Sequence, residues 1–180
     1  MNKFILFFFL LVTLYISAQK RLDFIEEKID FKIDSERFYV NGIYYFINHS
    51  DTTIRQAILF PVQKESDSVV VKRVYNLTYN ENIHFSYLNH AISFRFSMLP
   101  NDTLKINIAY SQKTDKENIY ILETTQAWGK PLEQADYALT FDDSVTIEKL
   151  SLKPDTLIGN VYYWSMKEFF PNENFKVVVQ

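Results

Sequence analysis

From Ile29 onward, apolar side chains recur at every second position of one short run after another. A chain with that period turns one face of each run to water and the other to an interior. This is the mark of half-buried β-strands, since a helix repeats at 3.6. The run 91–98 shows it most plainly: Ile92, Phe94, Phe96 and Met98 share one side, and Ser93, Arg95 and Ser97 share the other. Ile29, Phe31 and Ile33 alternate with Asp30 and Lys32, and Leu104, Ile106, Ile108 and Tyr110 alternate with Lys105 and Asn107. β-Branched and aromatic residues fill these runs and only three glycines occur, as a pleated surface prefers. No segment sustains a helical period.

In the run 37–48 both parities are apolar. Tyr39, Ile43, Tyr45 and Ile47 form one, and Phe38, Val40, Tyr44 and Phe46 the other. The run therefore belongs at the centre of a sheet, covered in part on both sides. Gly42 within it marks a bulge or a close approach to the backbone. Residues 54–62 form a strand whose Pro61 belongs at an edge or a strand end. Residues 64–68 read as a polar loop and 69–75 as a strand. Residues 83–87 and 91–98 read as a hairpin turning at Leu88-Asn89-His90. Leu99-Pro100-Asn101-Asp102-Thr103 carries turn formers in turn positions. Residues 111–117 read as a polar hairpin loop, with strands to follow at 118–124, 135–141, 145–152, 161–166 and 175–179. Trp128-Gly129-Lys130-Pro131 interrupts the alternation, so 126–134 is a bend, a wide loop or a short helical turn. Short strands at regular spacing, with no repeat and no linker, predict one antiparallel β-sandwich of immunoglobulin-like or jelly-roll type.

The N-terminus predicts export. Lys3 precedes an apolar run at 4–16 that only Thr13 breaks. That is too short for a bilayer span of about 20 residues and suits the core of a secretory signal. Ser17 and Ala18 supply small residues before a cut, which gives a signal peptide at 1–18 and a single domain at 19–180. The chain has no cysteine. Disulfides, thiolate zinc sites, cysteine nucleophiles and lipid attachment at a cysteine are thereby excluded, and a bacterial periplasm or outer surface fits best. The formal charge is −3, and loss of Lys3 makes it one unit more negative. Nucleic acid and anionic membrane surfaces are not expected partners of such a chain.

The stretch Met98-Leu99-Pro100-Asn101-Asp102-Thr103-Leu104-Lys105-Ile106-Asn107-Ile108-Ala109-Tyr110 resembles a recurring piece of immunoglobulin-like extracellular modules. Tyr120-Ile121-Leu122, through Trp128-Gly129-Lys130-Pro131-Leu132, to Tyr137-Ala138-Leu139-Thr140 resembles uncharacterised secreted bacterial β-sandwich proteins. More distantly it is similar to the N-terminal sandwich domains of large aminopeptidases. The resemblance implies a fold and no activity, because the H-E-x-x-H zinc helix of those enzymes has no counterpart here.

Chemistry-bearing residues are scattered. His49, His84 and His90 share no metal-ligand spacing, and neither a metal nor a cofactor is expected. Acids occur as Glu26-Glu27, Glu65 with Asp67, Asp115 with Glu117, and Asp142-Asp143, mostly in expected loops. A carboxylate-dependent hydrolase would need two of them facing across a cleft. Aromatics are the one excess, and Trp128, Tyr162, Tyr163 and Trp164 could offer a platform, although packing accounts for most rings in a sandwich. Trp128 and Lys130, in the non-strand segment, are the candidate ligand-binding residues. The expected function is a non-enzymatic binding or structural module of the cell envelope, with another envelope protein as partner. A carbohydrate-binding domain and a carboxylate-dependent hydrolase are the alternatives. Intact-mass measurement of the exported protein is expected to give a chain beginning at Gln19; a product that keeps residues 1–18 would contradict the export reading.

Overall fold

A computed structural model describes residues 22–63 and 68–180, and within them the alternation becomes strands almost throughout. The first half contains β1 (Leu22–Ile33), β2 (Arg37–Asn48), β3 (Ile54–Pro61), β4 (Val69–Asn76), β5 (Glu81–Asn82), β6 (Phe85–Leu88) and β7 (Ala91–Met98). The second contains β8 (Thr103–Lys113), β9 (Glu117–Tyr120), a 3-10 helix (Glu123–Trp128), β10 (Leu132–Phe141), β11 (Ile147–Leu150), β12 (Thr156–Ile158), β13 (Val161–Phe169) and β14 (Phe175–Val179). The signal peptide at 1–18, its cut after Ala18, and residues 64–67 of the expected polar loop lie outside the described residues.

One eight-stranded sheet, in the order β12-β13-β10-β1-β2-β8-β4-β5, makes the first layer. Register puts its apolar residues on a common face: Phe31 pairs with Val40 and Leu139, Tyr44 with Ile106, and Val40 with Tyr110. Two three-stranded sheets, β11-β14-β9 and β3-β7-β6, cover that face. Phe31 of β1 stacks on Phe175 of β14 at 4.7 Å and meets Tyr120 of β9 edge-on at 5.3 Å. Phe60 of β3 meets Tyr44 and Tyr110 of the large sheet at 5.4 and 5.9 Å, and Phe96 of β7 meets Phe46 at 5.4 Å. The result is the all-β sandwich the alternation predicts, with a second layer in two pieces.

Among the described residues, no strand pairing crosses the join between the pieces. After β3 the Gln63 side chain reaches across instead: its Oε1 accepts from the Ile119 backbone N–H of β9 at 2.9 Å and from Gln112 Nε2 at 3.1 Å. An edge strand is thus satisfied by an amide that stands in for a neighbouring backbone.

Three expectations need correction. The sandwich is not purely antiparallel, since β1 and β10 run parallel, with Glu27 opposite Ala135 and Phe31 opposite Leu139. Alternation records which face is buried and carries no information on strand direction. The loop expected at 111–117 is shorter. Ser111 and Gln112 continue β8 as buried polar residues, and β9 then pairs with β14 rather than turning back on β8. The strand expected to reach Thr124 ends at Tyr120, and the helical turn starts at Glu123.

Other bounds shift: the first strand begins at Leu22 rather than Ile29, Ile83 and His84 precede β6, residues 132–134 belong to β10 rather than to the bend, the strand expected at 145–152 narrows to β11, and β12 was not expected. β2 lies between β1 and β8 with one face buried and the other half-buried. β3 is an edge strand carrying Pro61. The β6–β7 hairpin turns through Asn89-His90, where His90 takes a φ of 57°. Phe31 also stacks on Phe38 at 5.6 Å and has almost no exposure. Phe31→Ala is therefore expected to cost about 3–5 kcal/mol, read in urea melts as a lower midpoint with an unchanged slope. Leu157→Ala, at a half-exposed edge position, is expected to stay within about 0.5 kcal/mol of the parent.

Candidate functional site

At the join, the chain leaves a cavity of about 380 Å³. The large sheet contributes Phe24, Glu27, Tyr44, Phe46 and Ile108 to it. β3 forms one wall, with residues 56–61, and the other wall is Tyr120, Ile121 and the 3-10 helix residues Thr124, Thr125, Ala127 and Trp128. Among the described residues, Glu27 is the one charged side chain in that lining.

A bulge puts Glu27 there. The β1–β2 register shifts between Phe24 and Glu26, so Ile25 is an extra residue. Before the bulge Phe24 points inward, opposite Phe46; after it Glu27 does so, opposite Tyr44. Glu27 is 1% exposed. It accepts hydrogen bonds from Tyr137 Oη of β10 and, at 3.2 Å, from Tyr120 Oη of β9. Tyr120 Oη lies 3.1 Å from Tyr44 Oη. Burial drives the Glu27 carboxyl up to about 7, against a partial pull back from the two phenol hydrogen bonds. The same burial, with Glu27 beside them, holds Tyr44, Tyr120 and Tyr137 well above the ordinary phenol range, so they stay protonated.

Gly42 makes room for this network. A β-carbon there would lie 2.7 Å from Tyr44 Cε2, well inside contact distance. The close approach expected at Gly42 is thus by the ring two residues along its own strand, which folds over the backbone to bring its hydroxyl to Tyr120.

Trp128 closes the other side. It ends the 3-10 helix, and Gly129 follows with a φ of 74° and its N–H on Gln126 O at 2.9 Å. The indole sits 5.9 Å from the Phe24 ring and 5.8 Å from Phe46, half-buried and lining the cavity. Lys130 does not line it. Its Nζ pairs with Asp23 Oδ2 at 2.5 Å, and the same oxygen takes His49 Nε2 at 2.8 Å. That pairing ties the segment after the helix to the start of β1.

The remaining sequence candidates disperse. Trp164 is buried, with its indole N–H on Leu152 O at 3.3 Å, and Tyr162 stacks on Phe141. The adjacent acids Glu26 and Glu27 part company: Glu26 pairs with Lys28 at 3.2 Å on the opposite face of the sheet. Glu65 and Asp67 lie outside the described residues. Among the described residues no three metal-ligating side chains gather, and no helix is long and apolar enough to cross a membrane. Sequence reasoning passed over Glu27, which looked like half of a solvated acid pair. The available signal was its parity, shared with Ile29, Phe31 and Ile33.

No protein-family model and no curated protein sequence matches the chain. Solved structures do. A candidate nutrient binding protein of Legionella pneumophila superposes with a TM-score of 0.71 at 12% identity, over 88% of this chain and 67% of that one. An M1 zinc metallopeptidase from Deinococcus radiodurans gives 0.54 at 9% identity, over 89% of this chain and 43% of that one. Yeast LTA4 hydrolase gives 0.53 at 10%, over 91% and 30%. At these identities the likeness is one of fold. It agrees with the distant resemblance to aminopeptidase sandwich domains, and this chain spans less than half of either enzyme.

Burial of Glu27 has a pH signature. Its carboxyl titrates near 4.5 when unfolded and near 7 when folded. The folded state is therefore unpenalised below about pH 4.5 and loses stability as pH rises to about 7, by roughly 3 kcal/mol. In urea melts at pH 5 and 8.5, Glu27→Gln is expected to match the parent at the lower pH and exceed it at the higher. An equal difference at both pH values would contradict the assignment.

Proposed function

We propose that this chain is an exported, non-enzymatic binding module of the bacterial cell envelope, and that it holds a small molecule in the cavity between the two pieces of its second layer. The observation that carries the reading is Glu27: an ionisable group buried at the inner end of an aromatic-lined cavity, at a cost that packing does not require. An apolar residue would fill the same position more cheaply. Apolar walls with a few convergent polar groups and a displaced pKa are the usual make-up of a small-molecule site. A candidate nutrient binding protein shares the fold over most of the chain, which supports a binding role. Trp128 is a ligand-contacting wall in this reading, and Lys130 positions it by holding the following segment on Asp23. Another envelope protein is the natural recipient of the bound molecule. A carboxylate-pair hydrolase would need a second acid at the cavity, and among the described residues its lining supplies Glu27 alone.

The test is a thermal-shift screen of the mature protein against amino acids, amines, sugars, nucleosides and short carboxylic acids, followed by tryptophan fluorescence. A true ligand at 100 times its Kd adds about 2.7 kcal/mol, which for a chain of this length raises Tm by roughly 5–10 °C. Trp128→Ala is expected to weaken that ligand at least tenfold. A flat response across the panel, or an equal response in Trp128→Ala, would overturn the proposal.

A further inference from the structure

We infer that the cavity selects a ligand carrying a protonated amino group, seated against Glu27 and Tyr44 and surrounded by the rings of Phe24, Phe46, Phe60 and Trp128. The inference rests on the reading of the cavity as a ligand site and names the chemistry of its ligand.

The first support is an accounting of protons. With Glu27 ionised, Tyr137 spends its hydroxyl hydrogen on one carboxylate oxygen and Tyr120 spends its own on the other. The 3.1 Å contact between Tyr44 and Tyr120 then has one consistent direction: Tyr44 donates to Tyr120. Every phenol hydrogen in the network is committed. What remains at this end of the cavity is acceptor capacity, on the Glu27 oxygens and on Tyr44 Oη. A bound group must bring donors. A carboxylate has none, and a carboxylate or a phosphate would add a second negative charge beside the first.

The second support is that, among the described residues, no cation faces Glu27. Around Glu27 the facing ionisable groups are Tyr44 from β2, Tyr120 from β9 and Tyr137 from β10, with Tyr110 of β8 behind Tyr44. The cavity residues contributed by β3, β7, β8 and the 3-10 helix are uncharged. An ammonium would supply the missing positive charge, and no protein group would have to be displaced.

The third support is the rings. Phe24, Phe46, Phe60 and Trp128 all line the cavity, and aromatic faces attract a desolvated cation where they would give a neutral hydroxyl no comparable gain. A volume of about 380 Å³ suits an amine on a compact alkyl or aryl body.

Binding should also take up the cost of the buried charge. The Glu27 carboxyl, near 7 in the free protein, would be held ionised by the ligand. Affinity for an amine should therefore rise with pH up to about 7 and level off above it until the ligand amine itself deprotonates.

The experiment pairs amines with their hydroxyl counterparts on the mature protein: phenethylamine with 2-phenylethanol, and tryptamine with tryptophol. Titration calorimetry at pH 8 is expected to show one amine or both binding at least tenfold more tightly than the matching alcohol. Glu27→Gln should bring that ratio close to one, and Tyr44→Phe should lower amine affinity several-fold. Between pH 5.5 and 8 the parent should gain about tenfold in amine affinity, and Glu27→Gln should gain none. Alcohols that bind as tightly as amines, with Trp128→Ala weakening both, would overturn the inference and leave the cavity reading standing. Amines that bind equally well to Glu27→Gln would overturn it too, as would silence from every amine while another compound class shifts Tm. Silence from all compounds would sink the cavity reading along with it.

Discussion

The eight-stranded sheet has one apolar face, and neither three-stranded sheet is wide enough to cover it alone. Two sheets laid side by side on such a face must meet somewhere. At that meeting the backbone groups of an edge strand and the side chains beneath lose their neighbours. This chain resolves the problem differently along the length of the join. Near the end of β3, the Gln63 amide bonds the edge of β9 and the buried Gln112. Further along, the layer opens into the cavity, and the buried polar groups below it satisfy one another: Glu27 with Tyr137 and Tyr120, and Tyr120 with Tyr44. The site is thus a consequence of how the second layer is divided.

The Glu27 network is a poor way to stabilise a fold. Burying a carboxylate costs more than two phenol hydrogen bonds return, which is why its pKa rises rather than falls. The surrounding core offsets that cost. Phe31 stacks on Phe38 and Phe175, Trp164 meets Phe175 edge-on, and Tyr120 and Tyr137 meet Phe31 edge-on, so these rings form one aromatic cluster between the layers. Those two tyrosines serve both regions, with rings in the core and hydroxyls on Glu27. A rigid hydrophobic block therefore fixes the hydroxyl positions, and little reorganisation is left for a ligand to bring about.

Much of this was legible in the residues. The alternation through Ile92–Met98 and Leu104–Tyr110 reports the buried face correctly, and Pro61 marks an edge. The interruption at Trp128-Gly129-Lys130-Pro131 marks the helical turn that walls the cavity. Strand direction was not legible, because Ile29, Phe31 and Ile33 would alternate identically beside a parallel or an antiparallel β10. Ser111 and Gln112 misled because they are polar yet buried, held by partners distant in sequence. Glu27 was concealed by Glu26: two adjacent acids look like a wet loop until the bulge at Ile25 and the parity of the following strand are taken together. Trp128 stood out through its glycine and proline neighbours, whereas Lys130, its companion in sequence, takes a different partner.

The claim on which the account turns is that Glu27 carries a burdened, buried charge that an amine relieves. Its most direct test is the titration of the Glu27 carboxyl carbon by NMR on isotopically labelled protein, free and saturated with the tightest-binding amine. The account predicts a midpoint near 7 in the free protein and a fall of at least one unit in the complex. A midpoint in the ordinary range near 4.5 in the free protein, or one that amine binding leaves where it was, would contradict it.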